Sequence, residues 1–114
     1  MEVGITYRLT TPTFTFTFPE NFDMSVITPT NTYVTFSSKN MREIVTKRAN
    51  SLEIGEHSIG VFLTQEETQS FPPGDIKAQI NWVYTEGGVT KRACTNIVEI
   101  NVKDNLYRDI IETS

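Results

Sequence analysis

The chain has 114 residues, the length of one domain, with a formal net charge of -4 and a pI near 4.9. Hydrophobic residues make up 38% and charged residues 21% of it, the ordinary globular range, so neither a disordered nor a membrane protein is indicated. The acidic balance disfavours nucleic acid, because phosphate binding needs a basic face. We therefore expect one domain over residues 1–114, with no nucleic acid and no membrane among its partners.

The start of the chain and its cysteine content indicate where it folds. The first residues, MEVGITYRLT, carry an early glutamate and lack both a basic region and a continuous apolar core. This pattern argues against a signal peptide. Cys94 is the single cysteine and cannot form a disulfide within the chain, so we expect folding in a reducing cytosol.

Period-two alternation of apolar residues predicts several strands before residue 57. The first strand, residues 3–9, has four apolar residues on one face, which is typical of a half-buried strand: Val3, Ile5, Tyr7 and Leu9. The second has three aromatic residues on one face, which we expect in the core: Phe14, Phe16 and Phe18. Further strands are predicted at residues 24–28, 32–38 and 43–47, the last two as a hairpin, with a brief edge strand at 51–54.

A short capped helix is predicted after the strand at residues 57–63. The five residues that follow have the sequence of a capping box: Thr64, Gln65, Glu66, Glu67 and Thr68. In such a box the Thr64 hydroxyl accepts from the amide of residue 67, and the Glu67 carboxylate accepts from the amide of residue 64. Two prolines and Gly74 then end the helix, since proline cannot continue it. A helical turn near residues 65–70 is therefore expected as a corner between strands.

The next segment alternates strictly and leads into a hairpin. Five residues between 75 and 84 share one face: Ile76, Ala78, Ile80, Trp82 and Tyr84. Gly87-Gly88 supplies the positive φ angles that a tight hairpin needs. Residues 89–102 return as a long strand whose irregular first half predicts a bulge near Cys94 to Ile97.

About seven short strands with turn signals between them predict an all-β sandwich, with a single closed barrel as the alternative. Residues 103–114 are a candidate C-terminal arm, either a short amphipathic turn or an extended segment. Its apolar residues are candidates for contact with a partner, because either form exposes them unless they are docked: Leu106, Tyr107, Ile110 and Ile111.

No residue set in the sequence predicts a catalytic, cofactor or metal site. His57 is the one histidine, and we expect it at the surface. Cys94 is expected to pack within a strand, as most lone buried thiols do. Adjacent carboxylates on a helical turn, such as Glu66 and Glu67, point in different directions and do not form an acid/base pair. The expected activity is binding or structure, without enzymatic chemistry and without cofactors.

Several motifs in the chain resemble those of small phage and prophage proteins encoded among tail and baseplate genes. The resemblance is carried by G-E-H-S-I-G-V-F-L-T-Q-E-E-T-x-x-F, G-D-I-K-A-Q-I-N-W and N-V-K-D-N-L-Y, with upstream P-T-F-T-F-T-F and Y-V-T-F-S-S-K. It covers roughly residues 3–111. It implies an immunoglobulin-like domain, similar to the N-terminal domain of phage baseplate upper proteins, whose last three strands are residues 57–63, 75–84 and 89–102. The chain lacks the cysteine pair of antibody domains.

The resemblance implies a structural or assembly component of a tail or baseplate, made in the bacterial cytoplasm and located in the virion. Its partners would be other tail or baseplate proteins or further copies of itself. The alternative is a carbohydrate-binding module that contacts cell-surface glycans. That alternative requires an exposed aromatic platform, formed by Trp82 or by several of the four tyrosines, whereas the alternation predicts that Trp82 is buried with Ile80.

Overall fold

The computed structural model describes the chain from residue 2 to residue 112 as nine strands, two 3-10 turns and one short helix. The strands are β1 (Glu2–Tyr7), β2 (Thr13–Thr17), β3 (Thr32–Ser37), β4 (Glu43–Arg48), β5 (Leu52–Ile54), β6 (Ser58–Phe62), β7 (Gly74–Glu86), β8 (Val89–Cys94) and β9 (Val98–Lys103). The helix, α1 (Gln65–Gln69), joins β6 to β7. The predicted placements of the Val3 side chain and of residues 113–114 lie outside the described part of the chain.

The strands divide into a six-stranded and a three-stranded sheet. The larger sheet has the order β1-β9-β7-β3-β4, with β8 also paired to β7, and the smaller sheet has the order β2-β6-β5. All pairs are antiparallel except β1 with β9. This is the strand order of an immunoglobulin-like sandwich, in which two sheets enclose one core. The predicted fold class is confirmed, and both sheets end in edge strands, unlike a single closed barrel.

The larger sheet contributes to the core mainly through alternate residues of β7. Its inward side chains are all 6% exposed or less: Ile76, Ala78, Ile80 and Trp82. From the smaller sheet, Phe14 and Phe18 are buried and Phe16 is partly buried against the same core. The Trp82 ring meets those of Phe18 and Phe22 edge-on, at centroid distances of 6.2 and 5.6 Å. The expected burial of the phenylalanine stripe and of Trp82 is confirmed.

The long last strand is interrupted by a bulge, which is why it forms β8 and β9 rather than one element. Ala78 pairs with Val98 and Asn81 with Cys94, so two residues of β7 face three residues of the other strand. One extra residue of this kind defines a β-bulge. The Thr95 N–H donates to the Ile80 carbonyl at 2.9 Å, and the Thr95 Oγ1 accepts from the Ile80 N–H at 3.1 Å. The predicted bulge is confirmed.

A two-residue turn joins β7 to β8. Glu86 pairs with Val89, which leaves Gly87 and Gly88 as the loop, with φ angles of 59° and 78°. Two consecutive positive φ angles match the twist of the flanking strands and are strained for residues with a Cβ. The predicted glycine hairpin is confirmed.

The face of β1 that carries Ile5 and Tyr7 is exposed, whereas the sequence predicted that this apolar face would be the buried one. Ile5 and Tyr7 are 58% and 50% exposed, whereas Thr6 is 5% exposed. Thr6 lies beside Val102, a buried residue of β9, and neighbouring partners in a sheet share a face. Leu9 is buried, but it has left the strand with a φ of 64°. Pairing with β9 therefore overrides the alternation pattern.

The predicted strand at residues 24–28 is also wrong, because Met24–Val26 forms a 3-10 turn. The side chain of Asp23 accepts from the Ser25 N–H at 3.0 Å and caps this turn. Such a local side-chain bond offers the backbone an alternative to strand pairing. Ile27, directly after the turn, is buried at 4% exposure and anchors the segment to the core.

Candidate protein-contact surface and its anchor

The capping box at the start of α1 is formed by reciprocal hydrogen bonds. The Thr64 Oγ1 accepts from the Glu67 N–H at 3.2 Å, and the Glu67 Oε1 accepts from the Thr64 N–H at 2.8 Å. These bonds satisfy two donors that a helix start otherwise leaves without partners. The box therefore fixes the corner at which the chain passes from the smaller sheet to the larger one, as predicted.

Glu67 also joins the corner to β4 through an ion pair. The Lys47 Nζ donates to both carboxylate oxygens of Glu67 at 2.7 Å, and Lys47 is only 9% exposed. Burial raises the pKa of Glu67, but hydrogen bonds from Lys47 and from the Thr64 amide outweigh it, so the pKa lies below its ordinary value. A charged Glu67 thus holds the inward-facing lysine of an edge strand.

Two further side chains of the motif bind distant backbone. The Oγ1 of the fully buried Thr68 donates to the Thr10 carbonyl at 2.8 Å and accepts from the Thr10 N–H at 3.1 Å. The Gln65 side chain donates to the Ile111 carbonyl at 2.8 Å and accepts from the Ile111 N–H at 3.0 Å. Each side chain thus makes the pair of hydrogen bonds that the backbone of a paired strand would make. The motif predicted as a cap therefore also anchors the β1–β2 connection and the C-terminal arm.

The arm, residues 104–112, has neither helix nor strand and carries exposed apolar side chains. Leu106 is 102% exposed, Tyr107 59% and Ile111 63%, while Ile110 is half-buried. The predicted amphipathic turn is therefore wrong, and the segment is an irregular arm with bends at residues 106, 107 and 109. Exposed apolar side chains on one surface segment are typical of protein contacts.

The arm is fixed at its start as well as at Ile111. The Arg8 guanidinium pairs with the Asp104 carboxylate at 2.8 Å, and the Asn105 side-chain amide donates to the Arg8 carbonyl at 3.2 Å. The backbone N–H of Asn105, together with Arg8, holds the pKa of Asp104 below its ordinary value. The arm therefore presents its apolar residues from a defined position. Nothing in the sequence indicated the role of Arg8.

The start of the arm lies beside the exposed residues of β1. Tyr7 is in register with Lys103, the last residue before the arm. The exposed Ile5 and Tyr7 are therefore at the same edge of the larger sheet as the first residues of the arm. The sequence predicted both on the apolar face of a half-buried strand, and alternation by itself does not show which face the fold buries.

His57 and Cys94 do not come together as a cysteine–histidine pair. Cys94 is exposed beside the bulge, so its predicted packing within a strand is wrong. His57 directly precedes β6 in the smaller sheet, with its Nε2 3.8 Å from the Glu56 carboxylate. Cys94 ends β8 in the other sheet.

An apolar cleft of about 510 Å³ opens between β2 and the bulge. Its aromatic lining consists of Phe16, Phe18, Phe22 and Trp82. The rings of Phe18 and Phe22 stack at a centroid distance of 4.9 Å, and Phe22 packs edge-on against the buried Trp82. These rings belong to the core and do not form the flat aromatic platform that a glycan would need.

Neither chemistry nor sequence likeness assigns a function directly. Within residues 2–112, no three histidine, cysteine, aspartate or glutamate side chains come together as a metal ion would require. No helix of the described chain is long and apolar enough to cross a membrane. No protein-family model matches the chain, and no curated protein has a matching sequence.

Proposed function

We propose that the protein is a non-enzymatic structural or assembly component of a phage or prophage tail or baseplate, which acts through protein–protein contacts. The resemblance of its motifs to small tail and baseplate proteins supports the biological setting. The immunoglobulin-like sandwich is the fold that this resemblance implies. On this proposal the protein is located in the virion and binds other tail or baseplate proteins.

The observation that carries the proposal is the exposed arm. Three of its apolar side chains are more than half exposed: Leu106, Tyr107 and Ile111. Arg8 and Gln65 fix the arm at both ends, which reduces the conformational entropy that a partner must remove on binding. Large apolar side chains held in place on a surface are typical of the anchors of protein interfaces.

The carbohydrate-binding alternative has less support. Its preferred platform residue, Trp82, is 6% exposed in the core. The Tyr33 ring is covered by the Arg48 guanidinium at 4.5 Å from its centroid. Tyr7 and Tyr107 are exposed, but no flat aromatic surface of the described residues favours a glycan over a protein partner.

Co-expression with the proteins encoded beside its gene tests the proposal. We expect at least one of them to co-purify with the chain, and we expect the variant Leu106→Asp/Ile111→Asp to lose it, because charges replace two apolar anchors. The matched control is Val89→Asp, which changes a residue that is 57% exposed in the β7–β8 hairpin, away from the arm. A strict monomer that binds none of these proteins, or a glycan array with specific binding, would contradict the proposal.

A further inference from the structure

Strand β1 is an edge strand with unpaired backbone groups. In the described chain it pairs with β9 alone. The Arg8 N–H donates to the Lys103 carbonyl at 2.9 Å, and alternate residues of a strand bond to opposite sides. The backbone groups of residues 4, 6 and 8 therefore face β9, and those of Ile5 and Tyr7 face the open edge. The Tyr7 carbonyl accepts from the Thr10 hydroxyl at 2.7 Å and has a second lone pair.

Of the five edge strands in the described chain, β1 is the least protected between Gly4 and Tyr7. Natural proteins guard edges with charges, prolines, β-bulges or short strands. Edge strands β4 and β8 carry charged residues, and β5 has only three residues. Pro12 and Pro19 bound β2 closely on both sides. The register of β1 is irregular between Glu2 and Gly4, but from Gly4 to Tyr7 the strand is regular, has no charge and no proline, and exposes the apolar side chains of Ile5 and Tyr7.

We propose that two copies of the chain pair through β1 as antiparallel strands, with the twofold axis at Ile5. This inference rests on the proposed function and names one of its partners, a second copy. In this register Ile5 faces Ile5 of the second copy, and Gly4 faces Thr6. An antiparallel pair of this type exchanges two N–H···O bonds between facing residues. The pairing joins the two six-stranded sheets into one continuous sheet.

A second copy fits this edge because the pattern is complementary to itself. Under twofold symmetry Ile5 meets Ile5 of the second copy, so an apolar side chain faces an apolar side chain. The side chains that the fold leaves 58% and 50% exposed, Ile5 and Tyr7, are then partly buried by lateral contacts with the added strand. No like charges meet between Gly4 and Tyr7, although the chain is acidic overall.

The dimer is expected to be weak. One pair of six-residue strands buries less than the roughly 800 Å² per partner of a standard interface. We therefore expect a Kd of about 10–100 μM, in the range of transient association. Larger assemblies would need the arm as a second contact.

Sedimentation between about 5 and 500 μM, a range that brackets the expected Kd, tests the dimer. We expect the wild-type dimer fraction to rise with concentration and Ile5→Lys to weaken the dimer at least tenfold. The melting temperature of the variant should match that of the dilute wild type, because the side chain is exposed. The matched control is Phe62→Lys, at a residue that is 50% exposed on β6, and it should dimerise as the wild type does.

Cross-linking locates the axis. In a Cys94→Ser background, Ile5→Cys treated with oxidised glutathione should give a disulfide-linked dimer, since facing Cα atoms about 5.5 Å apart are within disulfide range. Phe62→Cys in the same background should not.

Two outcomes would overturn the inference: a wild type that stays monomeric at the highest concentration, or an Ile5→Lys variant that dimerises normally. If the dimer fails while neighbouring proteins still bind through the arm, the inference falls and the proposed function stands. If the dimer forms and no such protein binds, the tail or baseplate assignment fails alone.

Discussion

The corner around α1 and the edge at β1 use their side chains in opposite ways. At the corner, polar side chains bind parts of the same molecule: Gln65 holds the arm, Glu67 holds Lys47, and Thr68 holds Thr10. At the edge, the Ile5 and Tyr7 side chains of β1 are exposed to solvent. The polar motif thus stabilises the fold, and the apolar strand, like the arm, leaves apolar surface exposed.

The contrast has a physical basis. A buried polar group is costly unless it finds a hydrogen-bond partner, so the polar residues of α1 are used internally. Exposed apolar surface is unfavourable by about 25 cal/mol per Å², which another surface can recover by covering it. A polar motif in a sequence is therefore weak evidence for a binding site, and an apolar strand is weak evidence for a core.

Replacing Thr68 by valine tests the corner most severely. Thr68→Val keeps the shape but leaves the N–H and C=O of Thr10 without their partner, so we expect a loss of about 1–3 kcal/mol in the free energy of unfolding. Urea denaturation measures it. The control Thr15→Val, at an exposed site on β2, should stay within about 0.5 kcal/mol of the wild type. Equal effects of the two variants would remove the distinction between corner and surface.

Loss of the helix cap should have a smaller effect. Thr64→Ala removes the acceptor for the Glu67 N–H and should cost about 0.5–2 kcal/mol, without loss of partner binding. The same denaturation experiment, paired with the co-purification assay, measures both. An unchanged denaturation midpoint would contradict the role of the capping box, and lost binding would make the motif part of the contact surface.

The pH dependence of stability should show the smallest effect. The pKa of Glu67 is lower in the folded protein than its ordinary value of 4.5, so its contribution is fully present above that pH and is lost as the pH falls through the folded pKa. Glu67→Gln should therefore lose less stability than the wild type between pH 5 and pH 3, although it is less stable at pH 7. Parallel stability curves would show that Glu67 titrates alike in both states. The exposed Glu66, replaced by glutamine, is the control.

Local sequence patterns predicted most of the strands and turns. They failed where hydrogen-bond pairing between distant segments sets the conformation or the orientation of a strand. The helix cap, the glycine hairpin and the bulge depend on neighbouring residues, and the structure has each of them. The strand predicted at residues 24–28 failed because one side-chain bond from Asp23 competes with pairing. The predicted orientation of Ile5 and Tyr7 was wrong because it is set by the register with Asn101 and Lys103 of β9, 96 positions away along the chain.

The sequence also could not predict the anchors of the candidate surface. Lys47 and Arg8 have the appearance of ordinary surface cations, and their partners Glu67 and Asp104 are 20 and 96 positions away. The exposed apolar residues of the arm were predicted, because a segment without strong periodicity at the end of the last strand has little core to join.

By itself, the sequence determined an all-β fold with a capped corner between its sheets, since propensity, turn residues and caps act over a few residues. Only the tertiary structure decided which face of β1 is exposed and which segments α1 holds together. It also decided which sheet edge lacks charged residues and prolines. These features follow from contacts between residues far apart in the chain, and local periodicity carries no information about such contacts.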